Sequence, residues 1–450
     1  MYDAAIIGAG PGGYTCAIRT AQLGGRVCLI ERDGLGGTCT QRGCIPTKFL
    51  HSIGDTVRRA GNAKKYGLNI EMELDYKAIK SRMQATVSRL ASGIKFLLNS
   101  NGVDLIDGTG HIVSKSEVII NDRVIKTKNI VIATGSYPIC LPELKFEGDS
   151  LSTTSILELN ELPKSVTIIG AGYSGCEFAS ILNALGCKVS LIEAENHILP
   201  NQIEEIGNAL EKYMTLDGIS VKTSSKVEKV VDRKVVANGE KIESDKVLVC
   251  IGRRPNLNPD ELNEIGVGFN KKGISTNNKM ETNVDNIYAI GDVTGLYELA
   301  HVAAKQGEVA AESLMGMENA SIDYRCIPAC VFTYPEVAFV GDLSGNYGEF
   351  SFTASAKANC LGETRGLVKV FERDEQVVGT YIIGSHAGEM IGEAALAVKL
   401  RLSPKEIFGM IHAHPTLPES FADALRAIKN ECIHTPAKNP NTKVNRKIHK

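Results

Sequence analysis

The richest chemistry in this chain sits on two cysteines. Residues 36–48 read GGTCTQRGCIPTK, so Cys39 and Cys44 are separated by four residues and followed by a cation, Lys48. In a regular helix, residues five apart rise about 7.5 Å along the axis. That exceeds the roughly 4.4–6.8 Å Cα separation of a disulfide. A bridge between them therefore requires a bent or irregular helix start, which Gly43 and Pro46 permit. At a helix N-terminus the dipole favours a thiolate, and Lys48, one turn on, adds positive charge. Two unrelated buried cysteines, or half of a zinc site, are the readings without redox chemistry. The nearest other ligands, Cys28 and His51, lack the pairing of a zinc knuckle.

A second chemistry is written twice. Residues 3–31 (DAAIIGAGPGGYTCAIRTAQLGGRVCLIE) and 165–193 (SVTIIGAGYSGCEFASILNALGCKVSLIE) each run from an apolar strand through a Gly-x-Gly-x-x-Gly turn and a helical stretch to a second apolar strand. Each ends on a Glu, 18 residues after the third Gly. This is a βαβ dinucleotide fingerprint. In the first copy Gly8 permits the tight turn, Gly10 lets a pyrophosphate approach the backbone, and Gly13 lets helix and strand pack closely. The helix N-terminus offers N–H groups to phosphate, and Glu31 can accept from a ribose diol. Gly170, Gly172, Gly175 and Glu193 repeat the arrangement. The segment SLIEAENH carries two acids and no Arg or Lys, which opposes a 2′-phosphate and favours NAD over NADP.

The elements that position these residues can be placed roughly. The chain has 450 residues, 43% hydrophobic and 23% charged, with a net charge of −2. This is ordinary globular composition, long enough for about three domains. It gives no basic bias for nucleic acid, and no apolar run is long enough to span a membrane. Met1 runs almost directly into AAIIGAG, with no basic segment or cleavage site. The expectation is therefore a reducing, cytoplasmic setting. Cysteines 16, 28, 176, 187, 250, 326, 330 and 360 are expected to be small core residues. Residues 55–100 and 299–318 read as helical, and 103–134, 219–252 and 273–292 as strand-rich. From about 326 the pattern changes to long strands followed by helices. The stretch after Cys432 is basic, without an acid, and is expected to be a solvated, poorly ordered tail.

Taken in order, GAGPGGY, GGTCTQRGCIPTK, ATGSYP, GAGYSGCE, GRRPN, NIYAIGD and HAHPTLPE resemble the flavin-dependent disulfide reductases through nearly the whole chain. The resemblance implies an α/β fold with two Rossmann-like FAD- and NAD-binding domains and a C-terminal α+β dimerisation domain. The implied boundaries are 1–145 for FAD, 146–265 for NAD, 266–325 completing the FAD domain, and 326–450 for the dimer interface. It implies a redox disulfide of Cys39 and Cys44, with Cys44 nearer the flavin, and a Lys48–Glu177 ion pair beside the flavin ring. FAD would be held by Gly8, Gly10, Gly12, Gly13, Glu31, Lys48, Gly110, Thr134, Gly135, Ser136, Asp292 and the run Glu298, Leu299, Ala300 and His301. NAD would be held by Gly170, Gly172, Gly175, Glu193, Val227 and Gly252. His414 would be the acid–base, oriented by Glu419 and contributed by the other subunit of a homodimer, with His412 structural. A buried His–Glu pair fits that role, because one imidazole nitrogen is held while the other moves protons near neutral pH.

Within the family the motifs are most similar to the branch that oxidises dihydrolipoamide. That implies a lipoyl carrier domain of a 2-oxoacid dehydrogenase or glycine-cleavage complex as partner, and neither nucleic acid, membrane nor metal. Glutathione- and trypanothione-reducing relatives are disfavoured by the acidic SLIEAEN segment. Mercuric reductases are disfavoured because Cys432 is the one cysteine near the C-terminus, with no adjacent pair. A soluble transhydrogenase would lack the redox cysteines. A non-catalytic flavin-fold binding protein would keep the flavin and show no turnover. Residues 341–352 are shorter and richer in Gly than the longer helical insertion usual in relatives.

Overall fold

The structure is a computed structural model and describes residues 1–142, 144–231 and 233–436. From residue 437 on, the expected basic tail lies outside the described residues. The described residues divide into two compact units, residues 1–198 with 217–323, and residues 199–216 with 324–436.

In the first unit each fingerprint opens a parallel sheet at its centre. Strand Tyr2–Ile7 pairs in parallel with Val27–Glu31 on one side and Arg123–Ile132 on the other, with Ile7 opposite Ile30 and Ile132. Asp104–Asp107 extends one edge, while Ile287–Ala289 joins Arg123–Ile132. Strand Ser165–Ile169 likewise lies between Lys188–Ile192 and Lys246–Val249, with Ile169 opposite Ile192 and Val249. Strands covered on both faces read as continuous apolar runs rather than alternations, as AAII and VTII do. The sheet cores confirm it: Ala5, Ile7, Ile30, Ile130 and Ile132 cluster with Leu262 and Ile287, and Ile169, Ile192 and Val249 with Val235 and Ala237.

The helices follow the sequence reading in outline. Residues 55–100 resolve into the end of helix Cys44–Asn62 and all of Tyr76–Ser100, the latter capped by the Asp75 carboxylate on Ala78 N–H. A helix also runs over Ala300–Leu314. The stretch 273–292 is less regular than expected, its described strands being the short Gly273–Ile274 and Ile287–Ala289, and it runs into the 3-10 turn Gly291–Thr294. Its hydrogen bonds go instead into Asn277 turns and the Thr282 side chain.

The second unit is α+β. Its antiparallel sheet runs Ala329–Val331, Glu336–Gly341, Gln376–Gly384, Leu367–Arg373 and Asn346–Ser351. Helices Ala387–Leu400 and Glu419–Ile428 share its core through Val340, Val368, Val370, Ile382, Ile391, Phe421 and Leu425. Residues 346–351 thus form an edge strand. No described helix is long and apolar enough to cross a membrane.

Candidate active site

The two glycine-rich turns have the same steric construction. A Cβ at Gly13 would sit 1.8 Å from the Gly8 carbonyl oxygen, and one at Gly175 would sit 1.9 Å from that of Gly170. A Cβ at Gly10 or Gly172 would meet nothing within 4 Å. The first and third glycines are therefore explained by contacts inside the chain. The middle glycine borders open space at the N-cap of its helix, Pro11–Gln22 or Tyr173–Ala184. That is the cradle a pyrophosphate needs, so both turns fit the dinucleotides FAD and NAD. Glu31 lies at the end of its strand, with Oε2 accepting from Ala9 N–H at 2.6 Å and Oε1 from the N–H groups of Arg32, Asp33 and Gly34. Glu193, buried, accepts from Ala171 N–H at 2.7 Å and Glu195 N–H at 3.0 Å.

The cysteine segment bends as the spacing requires. Helix Gly37–Arg42 carries Cys39 and stops at Gly43, whose backbone leaves helical geometry at φ −143° and ψ −107°. A new helix then starts on Cys44 itself. A Cβ at Gly43 would lie 2.9 Å from Thr38 O, so the turn is packed against the preceding helix. Cys39 and Cys44 are free thiols within hydrogen-bonding reach of each other. Their environments differ. The hydrogen bond from Cys39, joined by the charge of Lys48, lowers Cys44 to about 7 against the opposing pull of burial and Glu177. Cys39 is pushed up by that same hydrogen bond and by burial. The pair thus holds its thiolate on Cys44.

Lys48 lies one turn beyond Cys44, and its Nζ donates to both Glu177 oxygens at 3.0 and 2.8 Å. Glu177 comes from the second fingerprint helix, so this pair joins the two nucleotide modules. The carboxylate is 8% exposed and the lysine 33%. Removing Lys48 would take a bidentate charge partner from a buried carboxylate, at a cost on the order of 3 kcal/mol before solvent screening.

A third cluster gathers around Thr134–Ser136. Residues 136–138 pair antiparallel with 253–255. Thr134 Oγ1 donates to Asn256 O, Asn256 Nδ2 donates to Thr134 O, and Asn256 N–H to Gly135 O. Ser136 Oγ donates to Asp292 at 2.5 Å, and Arg253 Nε donates to Ser136 Oγ at 2.7 Å. The buried Gln306 side chain accepts from Gly291 N–H at 2.6 Å. Leu299 caps the helix that begins at Ala300, with His301 exposed in its first turn. Burial and the Asp292 charge raise the Glu298 carboxyl, against the pull of Arg253.

The remaining expected residues are more scattered. Gly12 packs beneath Ile290 and Ala303, Gly110 beside Ile30 and Val118, and Gly252 contributes its carbonyl to Ile139 N–H. Val227 packs against the second sheet's core. Arg253, Asn256 and Gln306 were not among the residues singled out from the sequence. GRRPN contains the first two, whereas nothing local marks a buried glutamine in a helix.

In the second unit, His414 Nδ1 bonds Glu419 Oε1 at 2.9 Å, and Glu419 Oε2 accepts from Thr416 N–H at 2.7 Å. Partial burial works against ionisation, but Thr416 and His414 together hold the Glu419 carboxyl below its usual range. A carboxylate only accepts, so the imidazole proton sits on Nδ1 and Nε2 is the basic nitrogen. The pair is not buried as expected: His414 is 71% exposed in the single chain, because it sits in the surface turn before helix Glu419–Ile428. His412 is the more enclosed of the two, its side chain 8% exposed and bonded to Glu393 at 3.0 Å. Cysteines 16, 28, 176, 187 and 250 are buried and 326 and 330 half-buried, but Cys360 is exposed, since it lies on the outer side of the short helix Ala356–Leu361.

Comparison with known proteins places this architecture. Residues 2–307 match the pyridine nucleotide-disulphide oxidoreductase family, and residues 327–425 match the dimerisation domain of the same family. A dihydrolipoyl dehydrogenase of Chlamydia trachomatis is 40% identical over 97% of this chain and 98% of its own. One from Bacillus subtilis is 35% identical over 96% and 99%. Among solved structures, LpdA of Mycobacterium tuberculosis superposes with a TM-score of 0.88 at 25% identity, covering 94% of this chain and 98% of that one. The HOCl-induced flavoprotein disulfide reductase RclA of Escherichia coli gives 0.85 at 26%, covering 94% and 99%. With the doubled nucleotide turn, the cysteine pair and both halves of the chain matched, this protein belongs to the pyridine nucleotide-disulphide oxidoreductase family.

Proposed function

We propose that the chain is an FAD- and NAD-using disulfide oxidoreductase that oxidises dihydrolipoamide to lipoamide, with the lipoyl group carried on a domain of a 2-oxoacid dehydrogenase or glycine-cleavage complex. The observation that carries this reading is the geometry of the cysteine pair: Cys39 lies on a helix that breaks at Gly43, Cys44 opens the next, and the two thiols lie within hydrogen-bonding reach of each other with Lys48 one turn on. The names of its relatives support it. The working form is a homodimer in which His414 and Glu419 of one copy serve the cysteines of the other. This accounts for an exposed His–Glu pair on each single chain.

The chemistry then follows from the chain's own groups. His414 Nε2 takes the proton of one substrate thiol, and the resulting thiolate attacks Cys39 Sγ of the oxidised pair. The Cys39–Cys44 bond breaks as the mixed disulfide forms. Cys44 leaves as a thiolate, and its low pKa makes it a good leaving group. His414 then hands that proton to the departing Cys39 sulfur and takes the proton of the second substrate thiol, whose sulfur displaces Cys39 from the mixed disulfide. Lipoamide departs and both electrons remain on the cysteine pair. Glu419 holds the imidazole throughout and compensates its charge when protonated. FAD, held at the first glycine turn with Glu31, Thr134–Ser136 and Asp292, supplies when bound the two-electron relay from the cysteines to NAD⁺ at the second turn. Lys48 and Glu177 keep a compensated charge pair between the two modules.

The test is a matrix of lipoamide, glutathione disulfide and Hg²⁺, each with NADH and NADPH. Turnover concentrated on lipoamide with NADH is the expected outcome. Strong turnover only with glutathione disulfide and NADPH would overturn the substrate, and bound flavin without any turnover would overturn the enzymatic reading.

A further inference from the structure

We propose that Arg253 is a positioning residue that aims the Asp292 carboxylate toward FAD, acting through the Ser136 hydroxyl. The inference rests on FAD occupying the first glycine turn.

The geometry dictates a direction for every proton in the chain of contacts. A guanidinium has no acceptor, so Arg253 Nε must donate to Ser136 Oγ, at 2.7 Å. The hydroxyl has one proton, and with its oxygen accepting from Arg253 it donates that proton to Asp292 Oδ2 at 2.5 Å. Arg253 Nη2 makes a second bond, to Ser136 O at 2.7 Å, which fixes the guanidinium plane. Such a fork is both charge-assisted and directional. The ribbon of 136–138 and 253–255 holds it in register, with Ser136 opposite Pro255 and Arg253 opposite Pro138. From the other side, Gln306, fully buried, holds Gly291 N–H, one residue before Asp292.

Asp292 is thereby pinned through one oxygen. Oδ1 bonds to no described residue, and the side chain is 25% exposed. An oriented carboxylate with one open oxygen suits the hydroxyl groups of a polyol chain. The Arg253 charge, 3.8 Å from Oδ2, also compensates Asp292 beside a second acid, Glu298. Without Arg253, Ser136 could turn its proton elsewhere, and two carboxyl groups would be left facing a ligand that itself carries phosphate charge.

The experiment compares Arg253→Met, Arg253→Lys, Ser136→Ala and the Arg253→Met/Ser136→Ala double variant with wild type. FAD is stripped from each protein and titrated back by flavin fluorescence. The absorption band of the bound flavin, the apoprotein melting temperature and the NAD affinity are recorded alongside. Losing a charge-assisted bond at this site weakens FAD binding roughly 10- to 100-fold in Arg253→Met. Arg253→Lys keeps the charge without the fork, so it recovers only part of that loss. The double variant is no weaker than the worse single one, because both changes cut the same chain. Apoprotein melting and NAD affinity stay near wild type. FAD affinity and flavin spectrum unchanged in Arg253→Met and in Ser136→Ala would overturn the inference, as would losses that multiply in the double variant, full rescue by lysine, or a fall in NAD affinity matching the fall in FAD affinity. Uptake of FAD by wild type separates these outcomes from failure of the cofactor reading itself, which would appear as no uptake by any form.

Discussion

The two glycine turns are nearly copies in their steric core and differ in what surrounds them. A Cβ on Gly8 would come within 2.3 Å of Ala133 O, and one on Gly170 within 2.5 Å of Cys250 O. Each closing glutamate reaches back to the N–H of the alanine inside its turn, Ala9 or Ala171. The first turn is then enclosed. Helix Ala300–Leu314 crosses its helix so closely that a Cβ on Gly307 would strike Gly12 O at 2.3 Å, and Glu31 gathers three further N–H groups from the following loop. The second fingerprint helix is also met by another helix, Cys44–Asn62, but less extensively, through pairs such as Lys48–Glu177. The glutamate of the second turn gathers one further N–H, and Ala194, Glu195 and Asn196 beside it are exposed. The enclosed copy is built like a site for a resident cofactor, and the open one like a site for a substrate that exchanges. The difference is made by neighbours, since the turns themselves are equivalent.

That contrast can be broken most violently at the third glycine. Gly13→Ala puts a methyl 1.8 Å from a backbone oxygen, which only a separation of helix from strand can relieve. The expected result is protein that purifies without flavin and is inactive. Gly175→Ala makes the same insult at 1.9 Å in the other copy. It should leave the protein yellow while raising the KM for NADH by roughly 100-fold or more. Flavin loss from the second variant, read from the absorbance ratio of purified protein, would erase the distinction between the copies.

The next contrast lies between the cysteines. Cys44→Ser should retain FAD but lose lipoamide turnover by roughly 1000-fold or more, since the pair acts as a unit. Full lipoamide-dependent NADH formation in that variant would remove the disulfide from the mechanism. Lys48→Met acts more gently. In the reduced protein Cys44 is a thiolate above about pH 7 and a thiol below it. Lys48 is one of the groups that lowers this value, so its removal moves the midpoint up and depletes thiolate near neutrality. Thiolate absorbance of the reduced apoprotein, followed against pH, reads the shift directly. An unmoved midpoint would mean that the Cys39 hydrogen bond alone sets the polarity.

These residues also show what the sequence could reveal. The doubled strand–turn–helix–strand pattern is local, so its sheets and glycine contacts follow from spacing. The break at Gly43 follows too, because five residues of regular helix are too long for a disulfide. Exposure is different. His414 and Glu419 are five residues apart and meet as their types suggest, yet whether the pair is buried depends on a surface that no local pattern specifies. Cys360 failed for the same reason: its apolar neighbours face inward while it faces out. Gln306 and Arg253 were hidden because their partners lie 15 and 117 residues away, across contacts that only the fold brings together.

The gentlest perturbation is at Glu193. Replacing it by Gln keeps its length but turns one oxygen into a donor facing the N–H groups of Ala171 and Glu195, and removes one negative charge where a 2′-phosphate would lie. NAD should bind somewhat less well and NADP somewhat better, narrowing the preference by roughly 10-fold. The preference should not invert, because Glu195 remains exposed two residues on and no arginine is introduced. The same change at Glu31 has no second nucleotide to favour. It should show only as weaker FAD retention, because that carboxylate organises four N–H groups rather than two. The ratio of kcat/KM for NADH and NADPH measures the first effect, and the rate of flavin release measures the second. If Glu193→Gln left the ratio unchanged, the Glu193 carboxylate would be serving its turn alone, and the choice of nucleotide would have to come from Glu195.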